Sequence, residues 1–163
     1  MSKITPFLWF DDNAEEAANF YVSIFKNSRI TDLRRYGDAG PGPKGRVMTV
    51  AFELDGNDFT ALNGGPQEGF NFTPAMSLMV NCKTQDEVDY YWGKLTQGGK
   101  EMQCGWLTDK FGITWQIVPE GIADYIAGDD EDGAERAMQA MFQMKKLDIN
   151  VLRRAYEGET VSR

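Results

Sequence analysis

The 163-residue chain contains no histidine. That absence excludes a Ser-His or Cys-His nucleophile pair, an imidazole general base and any metal centre that includes imidazole. Cysteine is almost missing as well: Cys82 and Cys104 are the only two. They are too few for a disulfide-built secreted scaffold, and their spacing is not that of a CxxC redox or zinc motif. Positive charge is in deficit, with 17 Lys and Arg against 25 Asp and Glu and a formal charge of -8. A basic nucleic-acid groove is therefore not expected. No apolar run approaches the roughly 20 residues that cross a bilayer. Residues 1–6 lack the basic-then-apolar profile of a leader. The expectation is a cytoplasmic protein with neither nucleic acid nor membrane as partner.

What is present suits a folded domain: apolar residues make up 42% and aromatics 12%, enough for a sizeable core. Residues 4–10, rich in aromatic and branched side chains, read as a strand. Asn13 and Glu16 have the spacing of a capping box, and Ala17, Phe20, Tyr21, Ile24 and Phe25 follow at helical intervals. A helix over 14–26 is expected, then strands over 29–36, 46–54 and 58–63. Residues 37–45 form a loop, and Asp55-Gly56-Asn57 is a hairpin signal.

The same order recurs downstream. Residues 75–81 read as a strand, Thr84 and Glu87 as a second capping box, and Val88, Tyr91, Trp92 and Leu95 as one helix face ending at Gly98-Gly99. Asn13, Glu16, Ala17, Phe20, Tyr21 and Ile24 map in order onto Thr84, Glu87, Val88, Tyr91, Trp92 and Leu95. Short strands over 101–104, 105–109 and 113–118 complete a second strand–helix–three-strand unit. Beyond Pro119 the chain turns helical: a short segment over 120–127, an acidic linker over 128–133, and a stripe of Ala134, Ala137, Met138, Met141 and Phe142. Asp148 then caps a last helix that closes at Gly158. The expected layout is two modules, about 1–66 and 73–119, in one domain, with a helical tail over 120–163 that covers the core or joins a partner subunit.

A doubled unit of this kind resembles the vicinal oxygen chelate superfamily of glyoxalases, bleomycin-resistance proteins and dioxygenases. Thr5-Pro6-Phe7-Leu8-Trp9-Phe10-Asp11-Asp12-Asn13-Ala14, Phe20-Tyr21, Leu62-Asn63-Gly64-Gly65-Pro66 and Cys104-Gly105-Trp106-Leu107-Thr108-Asp109 resemble the PhnB-like family within it. That family is often labelled 3-demethylubiquinone-9 3-methyltransferase. Ala137-Met138-Gln139-Ala140-Met141 and Lys145-Lys146-Leu147-Asp148-Ile149 look like its tail. The resemblance implies an α+β fold in which paired βαβββ modules curl into a half-barrel, with C-terminal helices and a homodimer. The methyltransferase label fits the residues poorly. A doubly wound methyl-donor site needs a glycine-rich strand-to-helix turn, and Asp11-Asp12-Asn13 has no glycine.

In the superfamily a metal is held by inward His and Glu of four strands. Alternation puts Thr5, Phe7 and Trp9 inward on the first strand, and Phe59, Ala61 and Asn63 on the fourth. It puts Ala75, Ser77 and Met79 inward on the fifth strand, and Thr114, Gln116 and Val118 on the eighth. The positions resembling metal ligands are then Thr5, Ala61, Ala75 and Gln116, none a good transition-metal ligand. No metal and no cofactor are expected. Where relatives carry a histidine after the Asn-Gly-Gly-Pro loop, this chain has Gln67 and Glu68. The candidate ligand-binding residues are Thr5, Phe7, Trp9, Phe59, Asn63, Gln67, Glu68, Ser77, Met79, Trp106 and Gln116, apolar walls with a few amides for a small, partly apolar molecule. Two other readings stay open: a superfamily enzyme (isomerase, lyase or transferase) using Glu53, Glu68 or a hard metal, and an interaction protein on a degenerate fold. Cys104 and Asp109 read as structural, the second as a turn-fixing residue.

Overall fold

A computed structural model describes residues 2–159. The chain divides into two compact units that meet at Phe70 and Asn71.

In the first unit, strand β1 (Phe7–Phe10), helix α1 (Ala14–Ile24) and strands β2 (Arg29–Arg35), β3 (Val47–Leu54) and β4 (Asn57–Asn63) form one sheet in the order β1-β4-β3-β2. β1 runs parallel to β4, and the other pairs are antiparallel. β1 is shorter than the 4–10 run expected from sequence. Pro6 has no N–H to give a ladder, and only its carbonyl is used, accepting from the Thr60 N–H at 3.0 Å.

Helix α1 covers one face. Ala14, Ala17, Ala18, Tyr21 and Ile24 are buried, and Tyr21, Phe52 and Phe59 stack with ring centroids 6.4 and 5.4 Å apart. Full burial of a large apolar side chain stabilises by about 1.5–3 kcal/mol, so this stack is a main support of the unit. The Asn13–Glu16 capping box does not form: Asn13 makes no side-chain cap bond. Its work is done from across the sheet, where the Asn63 Oδ1 accepts from the Ala14 N–H at 2.8 Å.

The second unit repeats the plan. Strand β5 (Ser77–Cys82), helix α2 (Gln85–Leu95) and strands β6 (Lys100–Glu101), β7 (Trp106–Thr108) and β8 (Thr114–Pro119) give the order β5-β8-β7-β6, with β5 parallel to β8. Identical strand order in both units bears out the repeat, an α+β architecture of paired βαβββ modules. Here the cap forms as read: the Thr84 hydroxyl accepts from the Glu87 N–H, while the Glu87 carboxylate accepts from the Lys83 N–H at 2.7 Å. Val88, Trp92 and Leu95 are buried on α2, as are Leu107, Trp115 and Ile117 on the sheet. Asp109 fixes the β7–β8 turn, its carboxylate accepting from the N–H groups of Phe111 and Ile113 and from the Trp115 indole at 2.8 Å.

Cys104 and Gly105 were expected in strands and instead form a left-handed turn, with φ of 60° and 80°. Their N–H groups donate to Met144 O and Lys145 O at 2.8 and 2.7 Å, so the turn receives the tail. A side chain at Gly105 would press on Leu147 Cδ1 at 2.8 Å and on the Ile117 carbonyl at 2.9 Å, which leaves only glycine at that position. The tail holds helices α3 (Ile122–Ile126), α4 (Glu131–Phe142) and α5 (Ile149–Glu157). The acidic linker expected over 128–133 is half helix: Glu131 and Asp132 sit in the first turn of α4, where negative charge suits the helix dipole. Asp148 caps α5, accepting from Asn150 and Val151 N–H, and Gly158 closes it at φ 75°. The Gln85 carboxamide donates to Leu147 O and accepts from the Ile149 N–H, at 2.9 and 3.0 Å. Lys146 pairs with Asp89 at 2.8 Å, and the Lys146 hydrogen bond, helped by Gln85, holds the Asp89 carboxyl below its usual range.

Candidate functional site

Each sheet has one face under its helix and one free of it. On the first sheet, Leu8 and Phe10 are buried on the helix side, leaving Phe7 and Trp9 on the open side. The register pairs Phe7 with Thr60 and Trp9 with Leu62. Cross-strand partners share a face, so the open face of β4 carries Thr60 and Leu62. This corrects the alternation read from sequence. Phe59, Ala61 and Asn63 lie on the helix side: Phe59 in the aromatic stack, Ala61 buried, and Asn63 tied at both ends of its amide. The Asn63 Oδ1 accepts from Ala14 and its Nδ2 donates to Val47 O at 3.1 Å, while its own carbonyl accepts from the Tyr36 hydroxyl at 2.6 Å. Thr5 precedes β1.

The Asn-Gly-Gly-Pro stretch is shaped around Trp9. The indole N–H donates to Gly65 O at 2.9 Å, and Phe70 meets the ring edge-on at 5.1 Å. A methyl group at Gly64 would overlap the indole carbons Cζ2 and Cε2. Gln67 and Glu68 follow on the exposed part of this loop, where Phe70 N–H donates to Gln67 O. A small pocket of about 140 Å³ lies beside it, bounded by Asp11, Tyr36, Pro43, Arg46, Gly64 and Gly65; sequence reading gave no sign of it. Glu53 faces Arg29 in an exposed ion pair at 3.1 Å, and that hydrogen bond raises the Arg29 pKa further.

On the second sheet the expected face is found. Ser77 pairs with Thr114, Met79 with Gln116, Trp106 with Gln116 and Thr108 with Thr114, so all six side chains share the open side. The Gln116 Nε2 donates to Ser77 Oγ at 2.9 Å. Met79 is 56% exposed and Trp106 half-buried. Thr114 is only 1% exposed, and its hydroxyl has no hydrogen-bond partner. Sequence alternation put Thr114 on this face without marking it as a site residue. Ala75 lies in the loop before β5.

The superfamily's metal does not fit these residues. By register and module equivalence, the positions related to Ser77 and Gln116 are Thr5 and Thr60. In neither unit do these positions supply a charged donor: Thr5 and Thr60 offer two hydroxyls, and Ser77 and Gln116 a hydroxyl and an amide already engaged with each other. Among the described residues no group of three Cys, Asp or Glu side chains is arranged to hold a metal ion. Of the cysteines, Cys82 is fully buried, and that burial pushes its thiol up to about 12.

The two βαβββ units define an α+β protein, and solved structures share that fold. The family described as 3-demethylubiquinone-9 3-methyltransferase matches residues 2–118, and the chain belongs to that PhnB-like family. The PhnB protein of Bacillus cereus, described as a 3-demethylubiquinone-9 3-methyltransferase, is 41% identical, with TM-score 0.67, over 72% of this chain and 99% of its own. Protein PA1353 of Pseudomonas aeruginosa is 22% identical with TM-score 0.62, over 74% and 98%. The fosfomycin resistance protein FosX of Listeria monocytogenes, solved with Mn(II) and sulfate, shares the fold at 13% identity and TM-score 0.50, over 78% and 97%. No curated protein matched. The family match stops before the tail, so the resemblance read in Ala137 to Ile149 lies outside it. No helix among the described residues is long and apolar enough to cross a membrane.

Proposed function

We propose that the protein binds a small, partly apolar molecule against the open face of its second sheet, without a metal. The observation that carries this reading is the composition of that face. Met79 and Trp106 offer apolar area beside the Gln116–Ser77 amide–hydroxyl pair, and apolar walls with a few placed polar groups are the usual make-up of ligand sites. Methyl transfer, which the family description names, draws no support from the turns. Neither strand-to-helix connection, Asp11-Asp12-Asn13 or Lys83-Thr84, contains the glycines of a nucleotide loop. Of the two alternative bases, Glu53 is committed to Arg29 and Glu68 stands exposed on its loop. The cytoplasm and a homodimer are part of the proposal; exposed Phe142 at the end of α4 is the side chain a second copy would cover.

The test is a thermal-shift screen of the intact protein against small aromatic compounds, neutral and cationic, alongside Trp106→Ala. A ligand at 100 times its Kd adds about 2.7 kcal/mol of stability. The expected result is a set of compounds that raise the wild-type Tm and leave the variant's unchanged. Stabilisation of neither, or of both equally, overturns the reading.

A further inference from the structure

We infer that the site takes an uncharged ligand whose polar end is carboxamide-like, an acceptor beside a donor, read by Ser77, Gln116 and Thr114. This rests on the function proposed above and deepens it. Ser77 Oγ already accepts from Gln116 Nε2, which turns the serine O–H proton outward as a donor and leaves Gln116 Oε1 as an acceptor. The two stand side by side, and their complement is a group with one carbonyl oxygen and one N–H or O–H.

Thr114 points to the same chemistry independently. It sits directly opposite Ser77 in the β5–β8 register, and its hydroxyl is the one buried side-chain polar atom without a partner among the described residues. Leaving such a group unmade costs about 1–3 kcal/mol, so a fold serving stability alone would carry valine here. The groups that would meet the polar end, Ser77, Gln116 and Thr114, carry no charge. Lys100 shares the face through its pairing with Thr108 but is exposed on the edge strand β6, two strands from β8 and about 10 Å away across the sheet. An ion seated at Ser77 and Gln116 would therefore be desolvated with no adjacent counter-charge. The overall charge of -8 acts at long range and is screened beyond about 8 Å at physiological salt; it does not supply a partner at this face.

The experiment compares 2-naphthamide, 2-naphthoate and 2-naphthylmethylammonium, which share one apolar body and differ in the polar end. Binding to the intact protein is followed by ligand-observed NMR and calorimetry. Naphthamide is expected to bind at least tenfold more tightly than either ion. Ser77→Ala and Gln116→Leu are each expected to weaken naphthamide by about three- to tenfold, the range of one hydrogen bond. Thr114→Val is expected to weaken it while raising Tm, because a valine of the same shape removes the orphaned hydroxyl. A lower Tm for Thr114→Val would show that the fold uses that hydroxyl and would overturn the inference. So would ions that bind as well as the amide, in which case the binding function survives and only its chemistry is wrong. If no member of the series binds but the thermal-shift screen yields other ligands, the carboxamide rule falls alone. If neither experiment yields a ligand, both readings fall.

Discussion

Asn63 shows how one residue can look like a ligand contact and be a structural one. Its amide caps α1 from another strand and ties that cap to Val47 of β3. Asn63→Ala leaves both partners buried and unpaired, and a loss of about 1–3 kcal/mol is expected in urea unfolding. Asn63→Asp keeps the acceptor for Ala14 and loses the donor to Val47, so it should fall between the two. Cys82 gives a second residue-level expectation. Its folded pKa, near 12, lies above the ordinary 9.0 of an unfolded thiol, so above pH 9 the unfolded state binds fewer protons than the folded one. Its share of stability is therefore whole below pH 9 and declines between pH 9 and 12. Cys82→Ala should flatten that part of a stability-against-pH curve relative to wild type. The native thiol should also resist alkylation at pH 8 until denaturant is added.

At the scale of elements, repetition was legible and facing was not. Two capping signals, two helical stripes and two sets of three short strands appear in the same order in the sequence, and both sheets have the same topology. Facing failed on β4 because both of its alternating sets mix polar with apolar residues: Asp58, Thr60 and Leu62 on one side, Phe59, Ala61 and Asn63 on the other. The choice is made by the parallel register against β1, a long-range pairing that no local pattern contains. On the second sheet the register agrees with the alternation for Ser77, Met79, Thr114 and Gln116, because Thr114, Gln116 and Val118 alternate with the buried Trp115 and Ile117, although Ala75 falls before β5 and Cys104-Gly105 form a turn. The Asn13 cap was misread because its competitor lies far along the chain. The tail is a local matter, and its expectation is correspondingly direct. Asp148→Ala should cost about 1 kcal/mol through the lost cap and speed amide exchange in α5 ahead of the sheet. Gln85→Ala should do the same from the other side of the contact, through Leu147 and Ile149.

For the whole molecule, the acidic excess sets colloidal behaviour. With a pI near 4.6, light scattering should rise to a maximum as pH falls through that value and subside below it, where net charge returns with the opposite sign. The Cys104–Gly105 turn has a consequence in time. The first unit has its last strand partner once Asn63 is made, and its closing aromatic at Phe70. The second completes its sheet at Pro119, but its turn still lacks the carbonyls of Met144 and Lys145, and the side of the unit beside Gly105 still lacks Leu147. At a synthesis rate of roughly 5–20 residues per second, the first unit is whole for several seconds while the second is an open sheet. During that interval a nascent chain presents the uncovered surface around Gly105 and Ile117. It is the tail beyond Pro119, outside the residues the family match covers, that ends this exposure.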